Sequence, residues 1–224
     1  MPRWKYRVFK NVNNVRLVNH VDYMAKVIGE TMRKVEELEW CHLKVNDVTL
    51  VLEEDALGTD VVGKAEFTNG FVASIQWVDI IQSTVQQVWR YDRVTNTTTV
   101  EVRGNMRMHA VTIGFDVLAT LASGAERYTA TFTHPLLQFD FTVIRDMFTN
   151  ILSVTVFGRV PRTTNAMRFL PNTHTSQVIA ALYDWNSTTV GITSWGSEVF
   201  QPIAYKLITT EIEFPKICYN CPVS

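Results

Sequence analysis

The chain has 224 residues, 46% of them apolar and 19% charged, with a formal net charge of −1. That composition supports a large core, argues against intrinsic disorder, and gives no global drive toward nucleic acid or an anionic surface. No apolar run reaches the roughly 18 residues that a membrane-spanning helix needs.

The start, MPRWKYRVFK, alternates Arg3, Lys5 and Arg7 with Trp4, Tyr6 and Val8. This pattern would seat the protein on anionic lipid with its aromatics at the interface; the plainer reading is a strand with a basic solvent face. The stretch lacks the apolar core of a signal peptide, so the protein either stays inside the cell or is a mature form restarted at Met1.

Residues 15 to 39 predict one amphipathic helix. Val18, Val21, Ala25, Ile28, Met32, Val35 and Leu38 recur at steps of three and four, and Leu17, Met24 and Val27 widen the apolar face.

From about residue 44 to 160 the period becomes two, with frequent turn signals, as in antiparallel strands. Within VVGKAEFTNGFVASIQW, a three-residue loop of Thr68, Asn69 and Gly70 would pair Phe67 with Phe71 and Ala65 with Ala73. Gly70 would then take the left-handed position of that hairpin. A further pair runs from Val85 to Val94 and from Thr98 onward. In TTTVEVRGNMRMHAVTIGFDVLATLASG the apolar residues first sit at even positions, Val100, Val102, Met106 and Met108. Beyond Ala110 they move to odd ones, Val111, Ile113, Phe115 and Val117. A one-residue slip of this kind exchanges the two faces of a strand. Either a local bulge sits there, or a long, strongly twisted sheet wraps around a helix.

Ser123-Gly124 turns the chain toward Tyr128, Ala130 and Phe132; Leu137, Phe139, Phe141 and Val143 follow, then Val154, Val156 and Val160. These make about nine strand segments, too many for a flat sheet. Residues 161 to 175 read as a connector. Helical spacing returns with Val178, Ile179, Leu182 and Trp185, breaks near Asn186 to Gly191, and resumes from Val199 to Ile208, with Pro202 in the first turn of the second piece. The expected fold is α+β: one domain, residues 1–224, in which a long, strongly curved antiparallel meander wraps a C-terminal helix behind an N-terminal amphipathic helix.

The cysteines are Cys41, Cys218 and Cys221, and the sequons Asn96-Thr97-Thr98 and Asn186-Ser187-Thr188 fall where loops are expected. Together they favour a secreted glycoprotein, with a disulfide from Cys41 to Cys218 or Cys221. Zinc on Cys41-His42 and the CxxC pair is the weaker alternative, because adjacent Cys and His rarely point at one metal. GITSWG, 191 to 196, resembles a segment of trypsin-like proteases, but no nucleophile motif accompanies it. None of His20, His42, His109, His134 or His174 lies in that family's catalytic-histidine context. No phosphate loop, paired catalytic carboxylates or metal-spaced histidines occur, and the expectation is a protein that is not an enzyme and needs no cofactor.

The order of elements resembles the tubular lipid-binding (TULIP) superfamily. Its arthropod juvenile-hormone-binding and takeout-like proteins and the mite group-seven allergens are nearest. VVGKAEFTNGFVASIQW is similar to that family's Gly-containing hairpin, TVEVRGNMRMHAVTIGFDV to its kinked mid-chain strand, and EVFQPIAYKLITTEI to its closing helix. The first cysteine falls after the helix rather than near the N-terminus, unlike takeout-like members. The resemblance implies an apolar tunnel lined by Met106, Met108, Ile113, Phe115, Phe200, Ile203 and Leu207. It also implies a secreted carrier of a fatty acid, isoprenoid or other lipid. The alternative is a secreted protein-binding modulator with the same fold and a filled tunnel.

Overall fold

The computed structural model describes residues 15–38, 43–53, 61–162, 167–184 and 186–219. The basic stretch with Arg3, Lys5 and Arg7 lies outside them, as do Cys41 and Cys221.

The first described residues form a strand, β1 (Val15–Leu17), and the helix α1 runs only from His20 to Glu37. The helix predicted from residue 15 starts later because β1 pairs antiparallel with β11 (Ile217–Tyr219), Arg16 opposite Cys218. Leu17 N–H donates to Gln87 Oε1 at 2.7 Å and Val18 N–H to the Lys216 carbonyl at 2.9 Å. Asn19, with φ of 55°, then turns the chain into the helix. Tertiary pairing here outweighs the local helical pattern. α1 buries Met24, Val27, Ile28, Met32 and Val35 of the stripe read from the sequence, and Tyr23 besides; Val18 and Leu38 of that stripe lie outside the helix and are exposed.

The main sheet is antiparallel and not closed. Its axis is the hairpin of two long strands, β7 (Thr97–Leu121) and β8 (Gly124–Asp146), paired from Thr99–Asp146 to Leu121–Gly124 without a change of register. β4 (Gly63–Ser74), β5 (Trp77–Ile80) and β6 (Gln86–Asp92) line the other side of β7. β2 (Lys44–Val45) and β3 (Val48–Leu52) extend β4. β9 (Leu152–Arg162) and β10 (Arg168–Leu170) pair with β8.

The parity switch read from the sequence is real, and it occurs in both long strands at once. β7 buries Val100, Val102, Met106 and Met108 and then Val111, Ile113, Phe115 and Val117. β8 buries Tyr128, Ala130, Phe132 and His134 and then Leu137, Phe139, Phe141 and Val143. Ala110, at φ of +48°, and Pro135 mark the switch between the pairs His109–Leu136 and Val111–His134. A bulge in one strand would shift the register between the two; no shift occurs, so the bulge reading fails for this pair.

The bulges are in β4 instead. The hairpin predicted at Thr68–Gly70 is not formed: residues 63–74 are one strand, and its register against β7 slips between Thr68 and Phe71. Asn69 has φ of 55°, and a Cβ on Gly70 would lie 2.5 Å from the Phe115 ring and 2.7 Å from the Val45 carbonyl oxygen. The Asn-Gly pair thus absorbs an extra residue over a crowded core, because β7 is long enough to pair with the whole segment.

The connector contains β10 and leads through a Thr173 capping box into α2 (His174–Leu182). The break predicted at Asn186–Gly191 lies earlier: α3 (Asn186–Trp195), a π-helical segment (Gly196–Phe200) and α4 (Gln201–Thr210) follow one another directly. Pro202 lies at the start of α4, and its missing N–H accompanies the widened turn before it. This helical run sits close on β9. A Cβ on Gly158 would be 2.6 Å from the Thr193 carbonyl oxygen, and one on Gly196 2.7 Å from that of Val156. Trp195 Nε1 donates to the Lys44 carbonyl at 2.6 Å and ties α3 to β2.

Candidate functional site

The outward side chains of β7 and its neighbours include charged pairs beside exposed apolar groups such as Phe71, Trp77 and Phe157. Glu101 is held by Arg90 at 2.8 Å and Arg103 at 2.5 Å, and Asp140 by Arg159 at 2.6 Å. The inward side chains form one apolar cluster with the helices. The candidate site is therefore the interior between them, and it falls into two regions on either side of Ala110.

The first region is a seam between β7, β8 and the helices α1 and α4. Met106 and Met108 lie opposite Phe139 and Leu137. Met24 of α1 sits over Gly104, where a Cβ would meet its Cγ at 2.5 Å. Phe200, in the π-helical segment, packs edge-on against Phe139 at 4.7 Å and lies 6.5 Å from Phe141. Leu207 is buried beside this cluster and Ile203 is half-buried.

The second region is a set of aromatic rings. Phe67 meets Phe115 at 5.9 Å, Tyr183 at 4.8 Å and Phe169 at 6.4 Å. Phe115 stacks on Phe132 at 6.1 Å, and Phe132 meets the His134 imidazole edge-on at 5.0 Å. Ile113 and Phe115 belong here, so the structure divides the predicted liner between two regions. Phe67, Phe132, Phe139, Phe141 and Tyr183 were missed as liner residues. The inward parity of Phe132, Phe139 and Phe141 and the alternation of Phe67 with Ala65 were the available signals; Tyr183, just after α2, had none of this kind.

Met106, Met108, Ile113, Phe115 and Phe200 are all 0% exposed. A void large enough for a water molecule beside them would register as accessible surface, so the interior is filled at these positions. Two surface depressions, of about 490 Å³ and 620 Å³, lie elsewhere. One is bordered by Thr131, Arg168, Asn172 and Gln177, the other by Glu66, Asp116, Leu118 and Arg127. Neither is lined by any of the seven predicted residues.

His134 stands out among the inward residues of β7 and β8. It is 0% exposed, and neither ring nitrogen has a hydrogen-bond partner among the described residues. Burial alone lowers its pKa to about 4, so the ring is neutral at pH 7. A neutral imidazole carries one donor and one acceptor, and leaving a buried one unused costs about 1–3 kcal/mol. Sequence reading had noted His134 only as a protease base to be dismissed. Tyr23 is a second such group: its ring packs edge-on to Phe214, its buried hydroxyl has no partner among the described residues, and burial pushes its pKa up.

Asn96 ends the exposed turn between β6 and β7 and accepts a hydrogen bond from the Tyr91 hydroxyl at 2.8 Å. Asn186 is exposed but opens α3 instead of lying in a loop, and Thr188 of its sequon is fully buried. Cys218 lies in β11; the predicted disulfide runs from Cys41 to Cys218 or Cys221, and both Cys41 and Cys221 lie outside the described residues. Among the described residues no helix is long and apolar enough to cross a membrane, and no His, Cys, Asp and Glu cluster is placed to hold a metal. Neither a protein-family model nor a curated protein matches this sequence.

Proposed function

We propose that this chain is a secreted, non-enzymatic carrier of a hydrophobic small molecule, of fatty acyl or isoprenoid type. The ligand would lie between the curved sheet and the C-terminal helical run, in the manner of the tubular lipid-binding superfamily. The observation that carries the reading is the methionine seam: Met24 lies over Gly104 on the inward side of β7, Met106 and Met108 are buried further along that strand, and Phe200 of the π-helical segment packs against Phe139 opposite Met106. Methionine is flexible and polarizable, and it repacks around guests of different shape. Burying a chain there would supply about 0.8 kcal/mol per CH₂ without any catalytic group. Access then requires these side chains to part.

The filled interior favours a second reading, a secreted modulator that binds another protein through its surface. Native mass spectrometry followed by solvent extraction separates the two. A discrete excess mass that is lost on denaturation and matches a lipid supports the carrier. A bare mass, unchanged after incubation with fatty acids and isoprenoid alcohols, refutes it and favours the modulator.

A further inference from the structure

We propose that the carried molecule has a neutral, hydrogen-bonding oxygen at one end and that His134 is the group that holds it. The inference rests on the carrier reading and adds the chemical class of the ligand. His134 is fully buried with both ring nitrogens unpartnered among the described residues. It stands opposite Val111, beside the Ala110–Pro135 switch, where the methionine seam meets the aromatic rings. On β8 it is flanked on the inward face by Phe132 and Leu137, so a chain lying along β8 would reach it from either region. Its ring is packed edge-on to Phe132, and Phe132 leads at 6.4 Å to Tyr183, the nearest titratable group joined to it by ring contacts. Among the described residues no carboxylate or cation shifts its titration, which burial lowers.

These surroundings select among lipid termini. A hydroxyl can donate to the bare imidazole nitrogen or accept from its N–H, and an ester or ketone carbonyl can accept. A carboxylate would enter an apolar interior where, among the described residues, no cation acts on His134, which is strongly unfavourable. A pure hydrocarbon would leave the ring as it is. The preferred ligand is therefore a long-chain alcohol or similar neutral oxygenated lipid, ahead of the ionised fatty acid.

Binding of dodecan-1-ol, dodecanoate and dodecane at pH 7.5, followed by intrinsic tryptophan fluorescence, tests this on wild type, His134→Leu and His134→Gln. The expected result is that His134→Leu binds the alcohol about tenfold more weakly than wild type, with dodecane unchanged, and that His134→Gln restores part of the loss. In wild type the imidazole ¹⁵N resonances of His134 should shift with the alcohol and stay in place with dodecane, a readout that needs no variant to fold. Equal binding of the alcohol by wild type and His134→Leu, or unmoved ¹⁵N resonances in the alcohol complex, would overturn the assignment and leave the carrier standing. Failure of all three compounds to bind would remove the carrier reading and this inference with it.

Discussion

Truncating Phe200 tests whether the interior is as filled as its geometry indicates. Phe200 is 0% exposed, with Phe139 edge-on at 4.7 Å and Phe141 at 6.5 Å. Phe200→Ala removes the six carbon atoms of the buried ring, a transfer loss of roughly 2 kcal/mol. It also leaves on the order of 100 Å³ of space, costing roughly 2 kcal/mol more at about 24 cal/mol per Å³. A loss near 4 kcal/mol is expected, within the range of about 3–5 seen for such truncations. Urea unfolding monitored by circular dichroism and by tryptophan fluorescence measures it, provided that both probes give one transition and the same slope. The variant should also take up benzene or xenon, as dry engineered cavities do. A loss below about 1 kcal/mol at unchanged slope would mean that Phe200 already borders empty space, and the filled-interior argument would fail.

Ala110 should prefer replacement by glycine, since its left-handed backbone costs an L-residue roughly 1–2 kcal/mol. Ala110→Gly should unfold within about 1 kcal/mol of wild type on the stable side, and Ala110→Val should lose at least about 2; a tolerated valine would contradict the strained φ. Gly158→Ala should cost about 1–3 kcal/mol by pushing α3 off β9, read as a lowered thermal midpoint. His134 binds a proton more weakly folded, at about 4, than unfolded, at 6.5. Its contribution is therefore complete above pH 6.5 and falls away as the pH drops toward 4, by up to about 3 kcal/mol. His134→Leu should flatten that part of the stability–pH curve, and a profile parallel to wild type would contradict the burial. Non-reducing peptide mapping of native protein should link Cys41 to Cys218 or Cys221; three free thiols would count against secretion.

Much of the sheet was legible because its inward face is continuous and its period is two. The switch at Ala110 was visible as a change of parity, and the residues that bury on each side of it were named correctly. What could not be read were choices made by distant partners. Asn69-Gly70 carries the same local signal in a hairpin and in a bulge, and only the pairing of Thr68 with Asp116 decides between them. Val15–Leu17 fits a helical stripe equally well until Ile217–Tyr219 arrives beside it. The start of α3, NSTTVG, is poor in strong helix formers, which made it look like a break. Packing holds it in place, through Trp195 on the Lys44 carbonyl and Gly196 against Val156. For the site, parity gave the burial of Met106, Met108, Ile113 and Phe115, but it could not show that they fall into two regions or that no void lies between them.

The switch also explains why one core spans the whole hairpin. Had β7 kept its first parity beyond Ala110, Thr112, Asp116 and Thr120 would point inward and Phe115 and Val117 outward. Burying the Asp116 carboxylate unpaired would cost several kcal/mol, and exposing two large apolar side chains would forfeit roughly 1.5–3 kcal/mol each. One strained residue at about 1–2 kcal/mol is the smaller cost, and Pro135 opposite it gives up no ladder donor. The same comparison isolates His134. Every other inward position of β8 from Tyr128 to Val143 is aromatic or aliphatic, and the kink can be made without an imidazole beside it. A leucine at residue 134 would leave no unmet hydrogen bonds there, whereas the imidazole keeps two that the proposed oxygenated ligand would meet.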